Sequence, residues 1–366
     1  MNYKFKNEGA FNSSPSVSSR LTREGRQGGA ILVTGGCGYI GSHTVVDLLD
    51  NGFDVVSVDN NIRSKASTVD LIFDITGKQI KNYVVDLCDK EATRKVFQEN
   101  KFDAVIHFAA LKSVPESVEK PLLYYRNNLD SLLNLLELTV EFGIKNFVFS
   151  SSCSVYGNTT QLPVTEETPF GNAESPYARS KQMSEEIIQD FSKTSAAKFI
   201  LLRYFNPVGA HESGKLGEDS TDVITAMVPR ITGTAIGKFA AFTVFGTDYD
   251  TRDGSCIRDY IHVMDIASAH TKAVEYVNAK TEKQFTEVFN LGTGNGVTVL
   301  EAIKSFEKVS GEKLSYKLGE RRAGDVVSIY ANNNKAVSKL NWNIKRDLDT
   351  MMQTAWVWEK HLAGKS

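Results

Sequence analysis

Runs that are apolar on both faces, amphipathic stretches between them, and a glycine-rich turn after the first run predict an α/β fold built on a doubly wound parallel sheet. The strand-like runs are 30–34, 54–58, 83–86, 104–108, 146–150 and 198–203. They lack the in/out alternation of a strand with one wet face, as a sheet covered by helices on both sides requires. Between them, 41–51, 89–100 and 121–142 carry apolar residues at helical spacing. Such repeated strand–helix alternation is the signature of crossover-linked parallel strands.

Past about Asn206 the regularity ends. Glycines and charged loops become frequent, and helical spacing recurs at 223–237, 263–278 and 299–310 without strands alternating between them. This predicts a smaller mixed α/β domain over the carboxyl edge of the sheet. The expected organisation is a disordered polar tail at 1–29, a sheet domain at 30–207 and a second domain at 208–366. The strand-like stretches 241–245 and 288–291 are candidates to return to the first domain.

Composition narrows the function classes. With 366 residues the chain can bury a sizeable core, and its net charge of −2 argues against a nucleic-acid or anionic-membrane surface. No apolar run reaches the roughly 18 residues that span a bilayer. Cys37, Cys88, Cys153 and Cys256 are too scattered for a metal site or a redox pair, which predicts free thiols in a reducing compartment and no metal. The serine-rich tail, with Arg20, Arg23 and Arg26, lacks a signal-peptide core; it is natural, a targeting segment or introduced with the expressed sequence.

The turn reads Gly35-Gly36-Cys37-Gly38-Tyr39-Ile40-Gly41. In a Gly-x-x-Gly-x-x-Gly fingerprint the first glycine permits the tight turn, the second lets a pyrophosphate approach the backbone, and the third lets helix and strand pack closely. A Rossmann-type dinucleotide site follows. Asp59 ends the second strand about 20 residues on, where a carboxylate binds the adenosine ribose and repels a 2′-phosphate, favouring NAD over NADP. Arg63 dissents, because an arginine can serve a 2′-phosphate. Asp86 and Leu87, past the third strand, either flank the adenine or, for the aspartate, cap the helix before Lys90.

Ser150, Ser151 and Ser152 end the fifth strand at the edge where ligands of such sheets bind. Downstream, Ser175 is a good N-cap, Pro176 suits the first turn, and Met183, Ile187, Ile188 and Phe191 supply an apolar face. That helix carries Tyr177 and Lys181 one turn apart on one face. An ammonium beside a phenol favours the phenolate and lowers its pKa from about 10, so Tyr177 can serve as a general base or acid.

With these features in place, the chain resembles the extended short-chain dehydrogenase/reductases and, among them, the UDP-galactose 4-epimerases. The resemblance runs from about Ile31 to Trp358 and rests on His107-Phe108-Ala109-Ala110-Leu111-Lys112, Tyr124-Tyr125-Arg126-Asn127-Asn128 and Arg203-Tyr204-Phe205-Asn206-Pro207-Val208-Gly209-Ala210-His211. Arg258-Asp259-Tyr260-Ile261-His262-Val263 and Arg321-Arg322-Ala323-Gly324-Asp325 complete it. It implies that Tyr177 exchanges the proton of a sugar 4-hydroxyl while NAD takes and returns hydride at C4. Lys181 then binds the nicotinamide ribose, and Ser152 hydrogen-bonds the reacting oxygen.

The resemblance also implies that Tyr39, Ile40, Asn60, Phe108, Ala109, Lys112, Asn127 and Tyr204 join the glycines in a pocket for tightly held NAD. Asn206, Phe245, Arg258, Arg322 and Asp325 match positions that contact the UDP part of a UDP-hexose. A cytoplasmic homodimer is implied as well. Three positions depart from the pattern. Residues 220–226 lack the usual asparagine, Pro115 stands where glycine is usual, and Ile329 occupies a position whose bulk controls entry of N-acetylated sugars. A 4,6-dehydratase on the same scaffold needs an acidic pair after the active-site hydroxyl, and this chain has Cys153-Ser154 there. A non-catalytic NAD-binding protein would be expected to have lost the tyrosine or the lysine, and both are present.

Overall fold

The computed structural model describes residues 28–219, 221, 224–322 and 326–364 of the 366. Strand β1 (Ala30–Thr34), helix α1 (Tyr39–Asp50), β2 (Val55–Val58), α2 (Thr68–Thr76), β3 (Lys81–Tyr83) and α3 (Lys90–Glu99) form the first half of the sheet layer. Then come β4 (Phe102–His107), α4 (Val114–Glu119), α5 (Pro121–Tyr125), α6 (Ser131–Glu141), β5 (Asn146–Ser152), α7 (Pro176–Ser192) and β6 (Lys198–Tyr204). The rest of the chain contributes β7 (Asn206–Val208), α8 (Met227–Ala235), β8 (Phe242–Phe245), β9 (Ile257–Arg258), β10 (Tyr260–His262) and α9 (Val263–Asn278). It ends with β11 (Thr286–Leu291), β12 (Val297–Thr298), α10 (Val299–Ser310), β13 (Tyr316–Gly319), β14 (Ser328–Ile329), α11 (Asn334–Leu340) and α12 (Leu348–Leu362).

Seven parallel strands make the central sheet in the order β11-β6-β5-β4-β1-β2-β3. Successive side chains of a strand point to opposite faces, so an apolar run feeds two cores at once. Ile31 and Val33 of β1 pack with Ile106, Ile200 and Leu202 against α1 and α9. Leu32, Val105, Phe199 and Leu201 pack on the other face with Phe97, Leu135 and Ile188 from α3, α6 and α7. This two-sided burial is why those runs read as continuous rather than alternating.

The order reverses direction between β1 and β4, and the crevice above that reversal is where ligands of such sheets bind. Beyond β6 the chain builds a second core around Val208, Val228, Ile231, Phe242, Phe306 and Met352. It also returns to the sheet: β11 pairs with β6, with Val288 opposite Leu201, and α9 packs on α1. The stretch 241–245 does not return. It forms β8, which pairs with β13 through Phe242–Tyr316 and Phe245–Gly319.

Three local readings are corrected. The third strand is Lys81–Tyr83 rather than 83–86; it is an edge strand bonded only to β2, and Val84 beyond it is 67% exposed. Residues 121–142 are not one regular helix: a π-turn at Arg126–Asp130 separates α5 from α6. The helix expected from 223 begins at Met227. Helices α2 and α4 carry too few buried residues, two and one respectively, to show apolar periodicity in the sequence.

Candidate active site

The glycine turn is shaped for an anion. Gly35 sits at φ +69°, and a Cβ there would lie 2.9 Å from the Ala109 nitrogen. A Cβ on Gly41 would lie 2.1 Å from the Gly35 carbonyl oxygen, so only glycine lets α1 start this close to β1. Gly38 caps α1 without a side chain, and no acidic residue occupies its first turn, which leaves the positive helix end to a ligand.

Asp59 is 9% exposed, and its carboxylate accepts from the Cys37 N–H (3.0 Å), the Asn61 N–H (2.9 Å) and the Ser64 hydroxyl (2.8 Å). These bonds hold it beside the glycine turn. Arg63 donates from Nη2 to both oxygens of Glu116 at 2.8 Å, which pairs its charge with a carboxylate. Asp86 does not cap α3. Its Oδ1 accepts from the Cys88 N–H (2.9 Å), while Asp89 supplies the cap by accepting from the Ala92 N–H. In the π-turn, Asn128 clamps the backbone of Leu111 through bonds of 2.9 and 3.0 Å, and its neighbour Asn127 faces the cavity. A π-turn shifts the helical register by one residue, and such turns recur at functional sites.

Helix α7 starts as the sequence requires, with the Ser175 hydroxyl accepting from the Ala178 N–H at 3.1 Å and Pro176 in the first turn. It buries Ile188 against the sheet and presents Tyr177 and Lys181 to the carboxyl end of β5. Tyr177 is half-buried, and the Ser152 side chain beside it acts to lower its pKa, while the Ser152 hydroxyl accepts from the Ser154 N–H at 3.2 Å. Lys181, 5% exposed, donates from Nζ to the Ser150 carbonyl at 2.6 Å. Its ammonium stands 4.8 Å from the Phe149 ring centre and 6.0 Å from that of Tyr177.

The expected effect of Lys181 on the phenol is corrected here. Burial raises the Tyr177 pKa above its ordinary value, Ser152 and the Lys112 charge pull it down, and Cys153 pushes it up. Burial instead lowers Lys181 itself to about 8, with the Glu185 charge working against that drop.

On the other side of the cleft, Asn206 follows β6, and its Oδ1 is buried without a hydrogen-bond partner among the described residues. A buried acceptor left unpaired is costly unless something else meets it. Arg258 on β9 is steadied by its Nη1 donating to the carbonyls of Ile257 (2.9 Å) and Val326 (2.6 Å). Phe245 is 43% exposed, and the Arg322 guanidinium carbon lies 5.4 Å from its ring centre. Asp325 lies outside the described residues. Ile329 does not border the cleft; it is 5% exposed and packs with Val155, Tyr156 and Phe205.

One cavity of about 1340 Å³ joins these groups, and every other candidate catalytic, cofactor or substrate residue of the sequence lines it. That volume exceeds the roughly 300–1,000 Å³ of an ordinary ligand pocket, so it has room for two ligands. Sequence reasoning missed Phe205, Met227, Arg230, Glu218 and Trp358 among the lining residues. Phe205 lies within a string already quoted; the other four carry no local signal, since only folding brings them to the cavity. Glu218 bonds Lys112 across the opening at 2.9 Å, and Asp219 bonds Lys65 at 2.5 Å. Among the described residues no cluster of histidine, cysteine and carboxylate is placed to hold a metal, and no helix is long and apolar enough to cross a membrane.

Known proteins are similar to this chain in sequence and fold. The family model described as GDP-mannose 4,6 dehydratase matches residues 32–355. A relative named UDP-glucose 4-epimerase 2, from Arabidopsis thaliana, is 48% identical over 333 residues, covering 90% of this chain and 94% of the relative. The crystal structure of UDP-glucose 4-epimerase from Bifidobacterium longum in complex with NAD+ and UDP is 43% identical, with a TM-score of 0.87 over 92% of this chain and 100% of that one. The enzyme of the same name from Stenotrophomonas maltophila, with bound NAD and formylated UDP-arabinopyranose, is 39% identical, with a TM-score of 0.89 over 92% and 100%. Dehydratase chemistry, which the family description names, is not matched by the site, where Ser152 is followed by Cys153 and Ser154 rather than by carboxylates. The chain belongs to the UDP-glucose 4-epimerases, within the extended short-chain dehydrogenase/reductases.

Proposed function

We propose that the protein catalyses reversible, NAD-dependent epimerisation at C4 of UDP-galactose and UDP-glucose through a transient 4-keto sugar. The observation that carries this reading is the placement of Tyr177 and Ser152 in one cavity with the glycine turn and with Asn206, Arg258 and Phe245. NAD suits the residues present. The glycine cradle leaves the backbone open to a pyrophosphate, Asp59 offers its carboxylate to a ribose, and Arg63 is engaged by Glu116 instead of a 2′-phosphate.

NAD, when bound, would supply reversible hydride acceptance at C4, so the reaction would involve no net oxidation. The residues of the chain move and hold the rest. Ser152 and Tyr177 grip the 4-hydroxyl, and Tyr177 takes its proton as the carbonyl forms. The same phenol gives the proton back when the turned sugar is reduced. Lys181, fixed on the Ser150 carbonyl, would hold the nicotinamide ribose. Arg258 and Arg322 clamp the diphosphate, Phe245 and Arg322 flank the uracil, and the unpaired Asn206 oxygen finds a donor on the substrate. On this reading residues 30–207 hold NAD, and most of 208–366 holds the UDP-sugar.

We place the protein in the cytoplasm as a homodimer. Its four cysteines are free thiols, and Leu122, Leu123, Leu133 and Val140 of α5 and α6 form an exposed apolar stripe that a second copy can cover. Analytical ultracentrifugation of the parent beside Leu133→Glu tests this; an unchanged sedimentation coefficient would refute it. Incubating the purified protein with UDP-galactose should yield UDP-glucose, and failure to interconvert any UDP-sugar would sink the enzymatic reading. Rates on UDP-galactose and on UDP-N-acetylgalactosamine would define the substrate breadth.

A further inference from the structure

Behind the catalytic side chains lies a buried ionic cluster that the reaction as described does not use. Glu185 stands one turn beyond Lys181 on α7 and is fully buried, at 0% exposure. Its carboxylate accepts from Arg203 through Nε (3.0 Å to Oε1) and Nη2 (2.7 Å to Oε2), and from the Ser151 hydroxyl. Arg203, 3% exposed, also donates from Nη1 to the Tyr156 hydroxyl at 2.8 Å, which in turn donates to Asn290 Oδ1 at 2.6 Å. A buried ion pair adds little to stability when weighed against apolar residues of the same size, so its use must be sought in what it positions.

The register of the sheet shows what that is. Ser151 and Arg203 are direct cross-strand partners on β5 and β6. The pairs on either side of them are Ser150–Leu202 and Ser152–Tyr204. Ser152 is the side chain beside Tyr177 that acts on its phenol, and Ser150 carries the carbonyl that receives Lys181. The carboxylate therefore grips the sheet at the one rung between the two points where α7 makes its catalytic contacts.

We propose that Glu185 is a positioning residue of the reaction, clamping α7 to the Ser151–Arg203 rung so that Tyr177 stays beside Ser152 and Lys181 on the Ser150 carbonyl. A helix that slides or rotates against the sheet by about 1 Å would move both catalytic groups together, and misplacement of that size can cost about a hundredfold in rate. The charge has a second effect. Lys181 is buried and drawn down to about 8, and Glu185 is the neighbour that favours its charged form. The other ionisable groups around it are Tyr177 on α7, His107 on β4, held neutral by burial, and Arg203 and Tyr204 on β6.

The inference rests on the epimerase reading, and the parent enzyme separates the two: no turnover by the parent refutes that reading, not this one. Removing Glu185 alone would strand the Arg203 charge, so the test pairs Glu185→Gln with Arg203→Met and, separately, makes Ser151→Ala. Circular dichroism and NAD released on denaturation establish that each variant is folded and loaded. In the double variant kcat should fall about tenfold or more, with KM for UDP-galactose within about twofold of the parent. The alkaline limb of its kcat–pH profile should move to lower pH. Ser151→Ala keeps the carboxylate, so its kcat should fall while its alkaline limb stays in place. A folded, NAD-loaded double variant with the parent's kcat and pH profile overturns the proposal. If the double variant does not fold, an unchanged kcat in Ser151→Ala overturns it equally.

Discussion

Acidification should destabilise this protein well before its carboxylates titrate, and His270 offers a clean way to measure why. Its ring is fully buried, with Nε2 accepting the Tyr204 hydroxyl at 2.5 Å, Nδ1 bonded to the Ile266 carbonyl at 2.9 Å, and the Phe108 ring 4.6 Å away. Burial lowers its pKa from 6.5 to about 3, opposed by the bond to Ile266. A base whose folded-state pKa lies below its unfolded value contributes full stability above the unfolded pKa and loses it as the pH falls. The window for His270 therefore runs from 6.5 down to about 3. Near pH 5 the unfolded chain binds a proton that the folded one refuses, at a cost of about 2 kcal/mol.

His107 and His262, at about 3, and His43, at about 4, act in the same direction for the same reason. Buried carboxylates such as Asp259 and Asp265, whose pKa values burial raises, act in the opposite direction. A difference measurement cancels both sets. His270→Gln offers Tyr204 an acceptor that does not titrate. Urea unfolding near pH 7.5 and pH 5 should show the variant losing about 2 kcal/mol less than the parent between the two conditions. Equal losses in the two proteins would refute the account.

Other substitutions separate binding from chemistry. Tyr177→Phe keeps the ring that fills the site and removes the proton carrier, so turnover should drop by about 10²–10⁴-fold while denatured protein still releases its NAD; near-normal turnover would refute the role. Gly41→Ala forces a methyl to within 2.1 Å of the Gly35 carbonyl oxygen and should abolish retention of NAD, which absorbance of the released cofactor would reveal. Arg258→Lys keeps the charge but loses the fork and should raise KM for UDP-galactose by about tenfold with kcat little changed.

Chemistry that depends on residues close together along the chain is legible in the order of the residues. The glycine spacing, the carboxylate ending the second strand, the Ser175-Pro176 helix start and the Tyr177–Lys181 pair each report a local backbone geometry. Two-sided apolar runs also report a covered parallel sheet, because both faces of each strand must be filled from within that strand. Elements with little buried surface give no such signal. Strand β3 has no fully buried residue, so Val84 and Val85 beyond it mislead the reading. The π-turn is invisible as well, since it is held by Asn128 reaching the backbone of Leu111.

Residue order alone thus determined the kind of sheet and pointed to the side chains proposed to carry the chemistry. Tertiary packing decided where those side chains point and what governs their charge. It turned the Lys181 ammonium to the Ser150 carbonyl, and it buried the Tyr177 phenol so that desolvation dominates its pKa. It engaged Arg63 with Glu116, brought β11 back to the sheet and drew Ile329 into the core away from the cavity. Each outcome depends on a partner distant along the chain, and desolvation and pairing act only once those partners are packed together.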